Sequence, residues 1–221
     1  IMKAAWLHRT GHPRVLIFFS GWGTDEAPFR RLTSSCWDVL VYYDYRCPDE
    51  IPCLSEIKAY TEISMVAWSL GCAVSNCVAQ DQRLAFTRAV AINGTLIPED
   101  DHAGIPARWI VATAESLTKG GWEKFVRRMC PDAGSRASFE ADFPGRDLQG
   151  AVEELYVLRQ ITPPGTCVFD TAIVSEQDRI ILPENQRRCW EQYAVPIRSF
   201  RGPHYPFHLW TSWEEVLACA G

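Results

Sequence analysis

The sequence lacks the features that would place the protein in a membrane or on a nucleic acid. No apolar run approaches the roughly 20 residues that a membrane-spanning helix needs, so we expect no membrane partner. The 22 Lys and Arg residues are outnumbered by 27 Asp and Glu residues, and the formal net charge is −5. Because phosphate binding requires a basic surface, this charge argues against a nucleic-acid partner.

Internal repeats, low-complexity tracts and linkers are also absent from the sequence. The chain has 221 residues, of which 47% are hydrophobic and 22% charged, an ordinary composition for a globular domain with a substantial core. We therefore predict one domain over residues 1–221, and we expect it to be monomeric.

The nine cysteines include no C-x-x-C pair and no Cys/His cluster with the spacing of zinc ligands. We therefore expect no metal and no other cofactor. The first residues lack the long apolar segment of a secretory signal peptide, and several cysteines lie in apolar stretches, where a free thiol behaves as a small hydrophobe. These features predict reduced thiols in a cytoplasmic protein.

One segment, residues 63–75, has the pattern of a catalytic nucleophile. The apolar run 63–67 predicts a buried strand, the chain breaks at 68–71, and small and apolar residues suited to a helix follow. Ser69 lies at the break, with the small residues Ala67 and Gly71 two positions away on either side. This is the pattern of a nucleophile elbow, with alanine in place of the first glycine of G-x-S-x-G. The alternative is a buried serine in an ordinary strand–turn–helix.

Strands and helices alternate along the rest of the chain. Strands are predicted at 15–19, 39–43, 88–92, 166–174 and 194–199, and helices near 24–32, 55–60 and 185–193. Alternation of this kind predicts an α/β fold whose mostly parallel central sheet has helices on both faces. Residues 108–160 are rich in charges and aromatics and predict helices near 122–129 and 148–159. These helices form either a lid inserted in the domain or a plain cover of the sheet.

Three reactive groups follow predicted strands in the order serine, acid, histidine. They are Ser69, Asp178 and His204, and this order is the one found in α/β-hydrolases. A histidine would accept the serine proton, and an aspartate would orient the imidazole. His208 competes with His204 for the role of base. Asp170 competes with Asp178, although we expect it to lie within a strand and to serve structure.

An ester hydrolase also needs two N–H groups that stabilise the oxyanion. The backbone of Leu70, directly after the predicted nucleophile, would supply one. The backbone of Trp22 would supply the other, because Gly21 and Gly23 allow the loop after the first predicted strand to bend towards the substrate.

Five segments of the sequence resemble segments of known esterase families. They are Leu16–Asp25 with its Ser-Gly-Trp-Gly-Thr centre, Tyr43–Arg46, Ala67–Gly71, Asp178–Ile180 and His204–Phe207. The first four resemble the BioG family of pimeloyl-[acyl-carrier protein] methyl ester esterases of biotin synthesis. The segment His204–Phe207 is similar to the histidine segment of the functionally equivalent BioH esterases.

The resemblance implies an α/β-hydrolase fold and hydrolysis of the methyl ester of a pimeloyl chain carried on acyl carrier protein. It implies the triad Ser69, Asp178 and His204, with oxyanion donors at Trp22 and Leu70. A broad-specificity carboxylesterase or thioesterase, or a non-catalytic ligand-binding member of the fold, remains an alternative.

That substrate suggests two surfaces. Acyl carrier protein is strongly acidic, so a basic patch would attract it; the candidates are Lys124, Arg127, Arg128 and Arg136. A seven-carbon chain needs an apolar slot, for which the candidates are Trp22, Trp68, Phe125 and Phe143. The competing interpretations are a solvated helix face for the first set and ordinary core aromatics for the second.

Overall fold

A central sheet of seven strands organises the protein, which is described by a computed structural model over residues 2–162, 165–219 and 221. The strands are β1 (Lys3–His8), β2 (Arg14–Phe19), β3 (Asp38–Tyr43), β4 (Glu62–Trp68), β5 (Arg88–Ile92), β6 (Thr171–Ser175) and β7 (Ile197–Phe200). Their order across the sheet is β1-β3-β2-β4-β5-β6-β7. The edge strand β1 is antiparallel to β3, and the other neighbouring pairs are parallel. The predicted α/β class with a mostly parallel sheet is confirmed.

Eight α-helices connect and follow these strands within the described ranges. They are α1 (Leu54–Ile57), α2 (Gly71–Asp81), α3 (Ala107–Ser116), α4 (Trp122–Met129), α5 (Ala133–Ala141), α6 (Leu148–Leu158), α7 (Pro183–Gln192) and α8 (Trp213–Ala218). Short 3-10 helices lie at Ala27–Phe29 and Phe207–Leu209, and a π-helical turn at Leu117–Gly121 joins α3 to α4.

The two faces of the sheet are covered by different elements. Consecutive strand residues point to opposite faces, and Phe18 packs against Phe29, Phe207 and Trp213, so both 3-10 helices and α8 cover its face. The connection from β2 to β3 runs towards the β1 edge of the sheet, whereas the connections from β3 onwards run towards the β7 edge. Connections that run in opposite directions along a sheet cover opposite faces if they have the same handedness. Because such crossovers are right-handed, α2 and α7 cover the opposite face. Strands buried on both sides explain the continuous apolar runs of β2 and β4.

Several element boundaries differ from the sequence prediction. The antiparallel β1 was not predicted, since its half-buried edge position gives only a weak pattern. The helix expected at 24–32 is reduced to the turn Ala27–Phe29. The strand expected from residue 166 begins at Thr171, because Thr166 O and Val168 N bond to the side chain of Asn76 on α2. The last strand is shifted, to Ile197–Phe200.

Helices α3 to α6 all lie between β5 and β6, where the sequence predicted helices within 108–160. Residues of α3, α4 and α6 line a cavity above the carboxyl end of β4. We call α3 to α6 and their connections the helical insertion.

Among the described residues, no helix has the length and apolar character required to cross a bilayer. The nine cysteines all fall within the described ranges, and each carries a free thiol.

Candidate active site

The turn between β4 and α2 holds Ser69 in a strained conformation. Its φ is +58°, in the left-handed region that non-glycine residues rarely adopt. A Cβ at Gly71 would lie 2.6 Å from Phe19 O and 2.4 Å from Ser20 O, so only glycine fits where α2 begins. The strand, sharp turn and helix predicted around residues 63–75 are present. Strain of this kind costs about 1–3 kcal/mol and concentrates at functional sites.

Ser69, His204 and Asp178 form a continuous hydrogen-bonded chain. Ser69 Oγ lies 2.9 Å from His204 Nε2, and His204 Nδ1 lies 2.7 Å from Asp178 Oδ2. Because an ionised carboxylate only accepts hydrogen bonds, Nδ1 carries the imidazole proton and Nε2 is left to accept the serine proton. The three residues are 5%, 1% and 4% exposed, respectively. The arrangement can deprotonate a hydroxyl nucleophile in a site almost closed to water.

The Asp178 carboxylate is fully occupied by donors. Its Oδ1 accepts hydrogen bonds from the backbone N–H groups of Ile180, at 2.8 Å, and Ile181, at 3.1 Å. Its Oδ2 accepts from the Gln186 side chain at 2.8 Å, in addition to His204. Donors on both oxygens fix the plane of the carboxylate. Gln186, on α7, is a site residue that the sequence analysis missed, because nothing in its local sequence indicates this contact.

The backbone of His204 is held by two buried side chains. Trp68 Nε1 donates to His204 O at 2.8 Å, and the Trp68 ring packs against the imidazole with centroids 5.3 Å apart. Asn93 Nδ2 donates to His204 O and Pro203 O, both at 3.0 Å, and to Ser175 Oγ at 2.7 Å. Asn93 was also missed. Its position at the end of β5 was a signal, but Asn93-Gly94 reads equally well as a simple turn.

The two competing residues lie elsewhere. His208 Nε2 is 4.0 Å from Asp132, and burial lowers the pKa of this imidazole. Asp170 is exposed and precedes β6, so it lies at the amino end of the strand, away from Ser69; its carboxylate accepts a hydrogen bond from Ala89 N. The expectation that Asp170 lies within a strand is wrong, because β6 begins one residue later.

Trp22 and Leu70 both line the same cavity as Ser69. Neither backbone N–H group has a hydrogen-bond partner among residues 2–162, 165–219 and 221. Leu70 N directly follows Ser69, and Trp22 lies in the loop after β2, next to Gly23 with its φ of +72°. Two free N–H donors beside a hydroxyl can bind an oxyanion.

The cavity over Ser69 is narrow and mostly apolar. Trp22, Trp68 and Phe125, three of the four candidates for the apolar slot, line it together with residues of α3 and α6 such as Ile110 and Leu155. The space open to the centre of a water molecule is about 30 Å³, which corresponds to about two water positions.

Phe143 does not line this cavity, contrary to the prediction. It is 47% exposed, and its ring packs edge-on against Trp122 and Phe139 at the surface of the helical insertion.

The four predicted docking cations differ in their surroundings. Lys124 and Arg128 line a groove between α3 and α4, where the Arg128 guanidinium lies over the Trp109 ring and donates to Arg179 O at 2.8 Å. Arg127 is exposed and pairs with Glu123 at 3.1 Å. Arg136 is half-buried, and its guanidinium bonds to the backbone oxygens of residues 130 and 131, so it is turned towards the protein itself.

Known proteins give a consistent classification. The model of the family described as pimeloyl-ACP methyl esterase BioG matches residues 2–216. A crystal structure of BioG from Haemophilus influenzae is 32% identical, with a TM-score of 0.83 over 98% of this chain and 100% of that one. A lipase-esterase related protein from Clostridium acetobutylicum is 14% identical, with a TM-score of 0.69 over 94% of each chain, and shows the fold alone.

A longer relative also matches. The malonyl-[acyl-carrier protein] O-methyltransferase of Bacteroides fragilis is 37% identical over 194 residues, which are 86% of this chain and 39% of that protein. The chain thus spans about two fifths of the length of this relative. These findings confirm the α/β-hydrolase fold and the carboxylic ester hydrolase class predicted from the sequence, and the chain belongs to the pimeloyl-ACP methyl esterase family BioG.

Proposed function

We propose that the protein is a serine esterase that hydrolyses the methyl ester of a pimeloyl chain carried on acyl carrier protein, a step in biotin synthesis. The observation that carries the proposal is the hydrogen-bonded chain from Ser69 Oγ through His204 to Asp178, at 2.9 and 2.7 Å. Membership of the BioG family supports this choice of substrate.

In the first half of the reaction, Ser69 Oγ attacks the ester carbonyl carbon while His204 Nε2 accepts the hydroxyl proton. The carbonyl oxygen becomes negative and is bound by the N–H groups of Trp22 and Leu70. Asp178 stabilises the imidazolium. When the tetrahedral intermediate collapses, the bond to the methoxy oxygen breaks, His204 gives its proton to that oxygen, and methanol leaves a pimeloyl ester on Ser69.

In the second half, water enters the place of methanol. His204 Nε2 accepts a proton from the water as its oxygen attacks the acyl carbon, and the same two N–H groups bind the oxyanion. Collapse breaks the bond to Ser69 Oγ, which takes the proton back from His204. One ester and one water thus give one carboxylic acid and one methanol.

The helical insertion would act as a lid. Ser69 is only 5% exposed, and its cavity holds about two waters, so a seven-carbon chain requires α3 and α4 to separate. Their junction is the π-helical turn Leu117–Gly121, in which Gly120 has a φ of +80° and Lys119 leaves helical geometry. Irregular turns of this kind are common hinge positions.

The groove between α3 and α4 is the proposed entry for the carrier-bound chain. It shares Trp109, Thr113, Phe125 and Arg128 with the cavity over Ser69, so the two are adjacent. The cations Lys124, Arg127 and Arg128 near this groove would attract the acidic carrier protein. Arg136, turned towards its own backbone, is left out of this proposal. We further propose that the protein is a monomer and that it lies in the cytoplasm, where its free thiols would stay reduced.

The test is hydrolysis of pimeloyl-carrier methyl ester and of a small free methyl ester by wild type and by Ser69→Ala. We expect a much higher kcat/KM for the carrier-bound ester, loss of turnover of both esters in Ser69→Ala, and wild-type rates in Ser199→Ala, which removes an exposed hydroxyl on β7.

Two outcomes would contradict the proposal. Equal efficiency on both esters would indicate a broad-specificity carboxylesterase. No hydrolysis of either ester by the wild type would indicate a ligand-binding protein.

A further inference from the structure

Glu154 is a completely buried carboxylate on α6 that the reaction above does not use. Its Oε1 accepts a hydrogen bond from Tyr45 N at 2.8 Å, in the loop after β3. Its Oε2 accepts from Gly23 N at 3.3 Å, in the loop after β2 that carries the oxyanion donor Trp22. Burial raises the pKa of this carboxyl, whereas Arg146 and the backbone donors lower it. One carboxylate of the helical insertion therefore links two loops at the catalytic edge of the sheet.

Arg146 completes this connection from the same insertion. Its Nη2 lies 3.0 Å from Glu154 Oε2 and 3.2 Å from Asp44 Oδ1, and its Nη1 donates to Thr24 O at 3.0 Å. Its side chain is only 6% exposed, and those of Asp44 and Glu154 are 2% and 0% exposed. Buried ion pairs of this kind are often no more stable than apolar replacements of similar volume. Stability alone therefore does not explain why charged residues occupy this position.

The loop after β2 is fixed on either side of the Trp22 N–H. Gly21 O and Trp22 N belong to the same planar peptide group and point in opposite directions. Gly21 O accepts hydrogen bonds from Thr24 Oγ1 at 2.6 Å and from Thr24 N at 3.3 Å. These bonds fix the orientation of the Gly21 carbonyl, and with it the orientation of the Trp22 N–H in the same peptide group. The Trp22 ring is anchored in addition by a bond from Nε1 to Ala151 O on α6, at 2.7 Å.

We propose that Thr24 and the Glu154–Arg146 pair are positioning residues for the oxyanion hole. Glu154 holds the peptide that follows Trp22, and Arg146 holds Thr24. The Thr24 hydroxyl in turn holds the peptide that contains the Trp22 N–H. None of the three touches the substrate. Their effect is on the transition state, because the oxyanion forms there and is absent from the bound ester. The inference rests on the proposed esterase function.

The first test is Glu154→Gln. A glutamine has one acceptor oxygen and one NH₂ group, so it cannot accept from both Gly23 N and Tyr45 N. We expect kcat for a short chromogenic ester to fall about tenfold to a hundredfold, up to the loss of about 10²–10³ seen when an oxyanion donor is removed, while KM changes less than about threefold. The matched control is Glu153→Gln, the same change on the adjacent residue, whose side chain is 54% exposed. We expect it to retain the wild-type kcat.

The second test is smaller and does not disturb the buried charges. Thr24→Val removes the hydroxyl but keeps the shape, and Thr24→Ser keeps the hydroxyl. We expect kcat to fall about tenfold or more in Thr24→Val and to be restored in Thr24→Ser. In Thr24→Val and Glu154→Gln, the affinity for a tetrahedral boronic-acid analogue should fall by the same factor as kcat, since both measure oxyanion binding.

Each result has a clear meaning. If the variants unfold more easily but folded enzyme keeps its kcat and its analogue affinity, the residues are merely structural and the inference is wrong. A Thr24→Val enzyme with wild-type kcat overturns it even if Glu154→Gln fails to fold. A wild type that hydrolyses no ester refutes the proposed function instead, so the two failures are distinguishable.

Discussion

Asn93→Asp tests how the site holds its histidine. The substitution keeps the size of the side chain and suits the left-handed backbone, with φ of +46°. It replaces the amide donor that bonds to Pro203 O and His204 O. A carboxylate cannot donate, and backbone carbonyls cannot become donors. The folded variant must therefore hold the new carboxyl protonated, and one proton satisfies only one of the two carbonyls.

The expected loss of folding stability in Asn93→Asp has two parts. The lost hydrogen bond costs about 0.5–1.5 kcal/mol at any pH. In addition, the carboxyl of the unfolded chain ionises above a pKa of about 3.9, whereas the pKa of the buried carboxyl is raised. The raised pKa of the folded carboxyl contributes fully to the free energy of unfolding below about pH 3.9. This contribution declines by about 1.36 kcal/mol per pH unit as pH rises, until the folded carboxyl ionises. Between pH 5 and pH 7 the deficit relative to wild type should widen by up to about 2.7 kcal/mol.

Urea denaturation at the two pH values measures this widening, and kcat at pH 7 measures the effect on His204. We expect kcat to fall about tenfold, and not to vanish, because Trp68 Nε1 still bonds to His204 O. The control is Asn76→Asp, where the lost amide bonds to Thr166 O in the segment before β6; it should lose stability and keep its kcat. If Asn93→Asp unfolds like wild type at both pH values with an unchanged kcat, the assigned role of Asn93 is wrong.

Three further predictions concern the elbow, the C-terminal helix and the carrier surface. Gly71→Ala places a methyl group 2.4 Å from Ser20 O, so activity should fall at least tenfold with a lowered melting temperature; a fully active variant would contradict the steric argument. Burial would raise the pKa of Glu214, but hydrogen bonds led by Ser35 N lower it to about 2. The wild type should therefore be more stable than Glu214→Gln by about 1–2 kcal/mol at pH 6. Urea titrations should show this difference vanishing as pH falls from about 4.5 towards 2. Lys124→Glu should lower kcat/KM for carrier-bound ester severalfold at low salt and leave the small ester unaffected; equal losses on both esters would remove the docking proposal.

The nucleophile turn could be predicted from the sequence because its causes are local. A buried strand, a sharp turn and a glycine that must fit against Ser20 O all act within a dozen residues. The choice of His204 over His208 and of Asp178 over Asp170 agrees with the structural grouping for a related reason. In both pairs the chosen residue follows a strand of the sheet, and the carboxyl ends of parallel strands meet at one edge.

The missed residues share the opposite property. Asn93 lies 111 positions from His204, and Glu154 lies 109 positions from Tyr45. Their partners are mostly backbone groups, which carry no sequence signal. The error at Phe143 has the same origin: an aromatic side chain in a helical segment packs equally well inside or at the surface, and only the tertiary structure decides. Local patterns thus predicted the serine, histidine and aspartate that lie together, but not the groups that hold them.

Buried polar side chains therefore decide how well the site is aligned. Each of three loops beside Ser69 is held from a different element: Asp178 by Gln186 on α7, His204 by Asn93 after β5, and the loop of Trp22 by Glu154 on α6. None of the three holders reaches Ser69, so none can contribute to binding the ester directly. Their loss should lower kcat more than it raises KM. The side chains of Asn93 and Glu154 share no hydrogen-bond partner among the described residues, so losses at these two should multiply once each variant is folded. A double variant of Asn93 and Glu154 that is no slower than the worse single variant would instead show that the loops move as one unit.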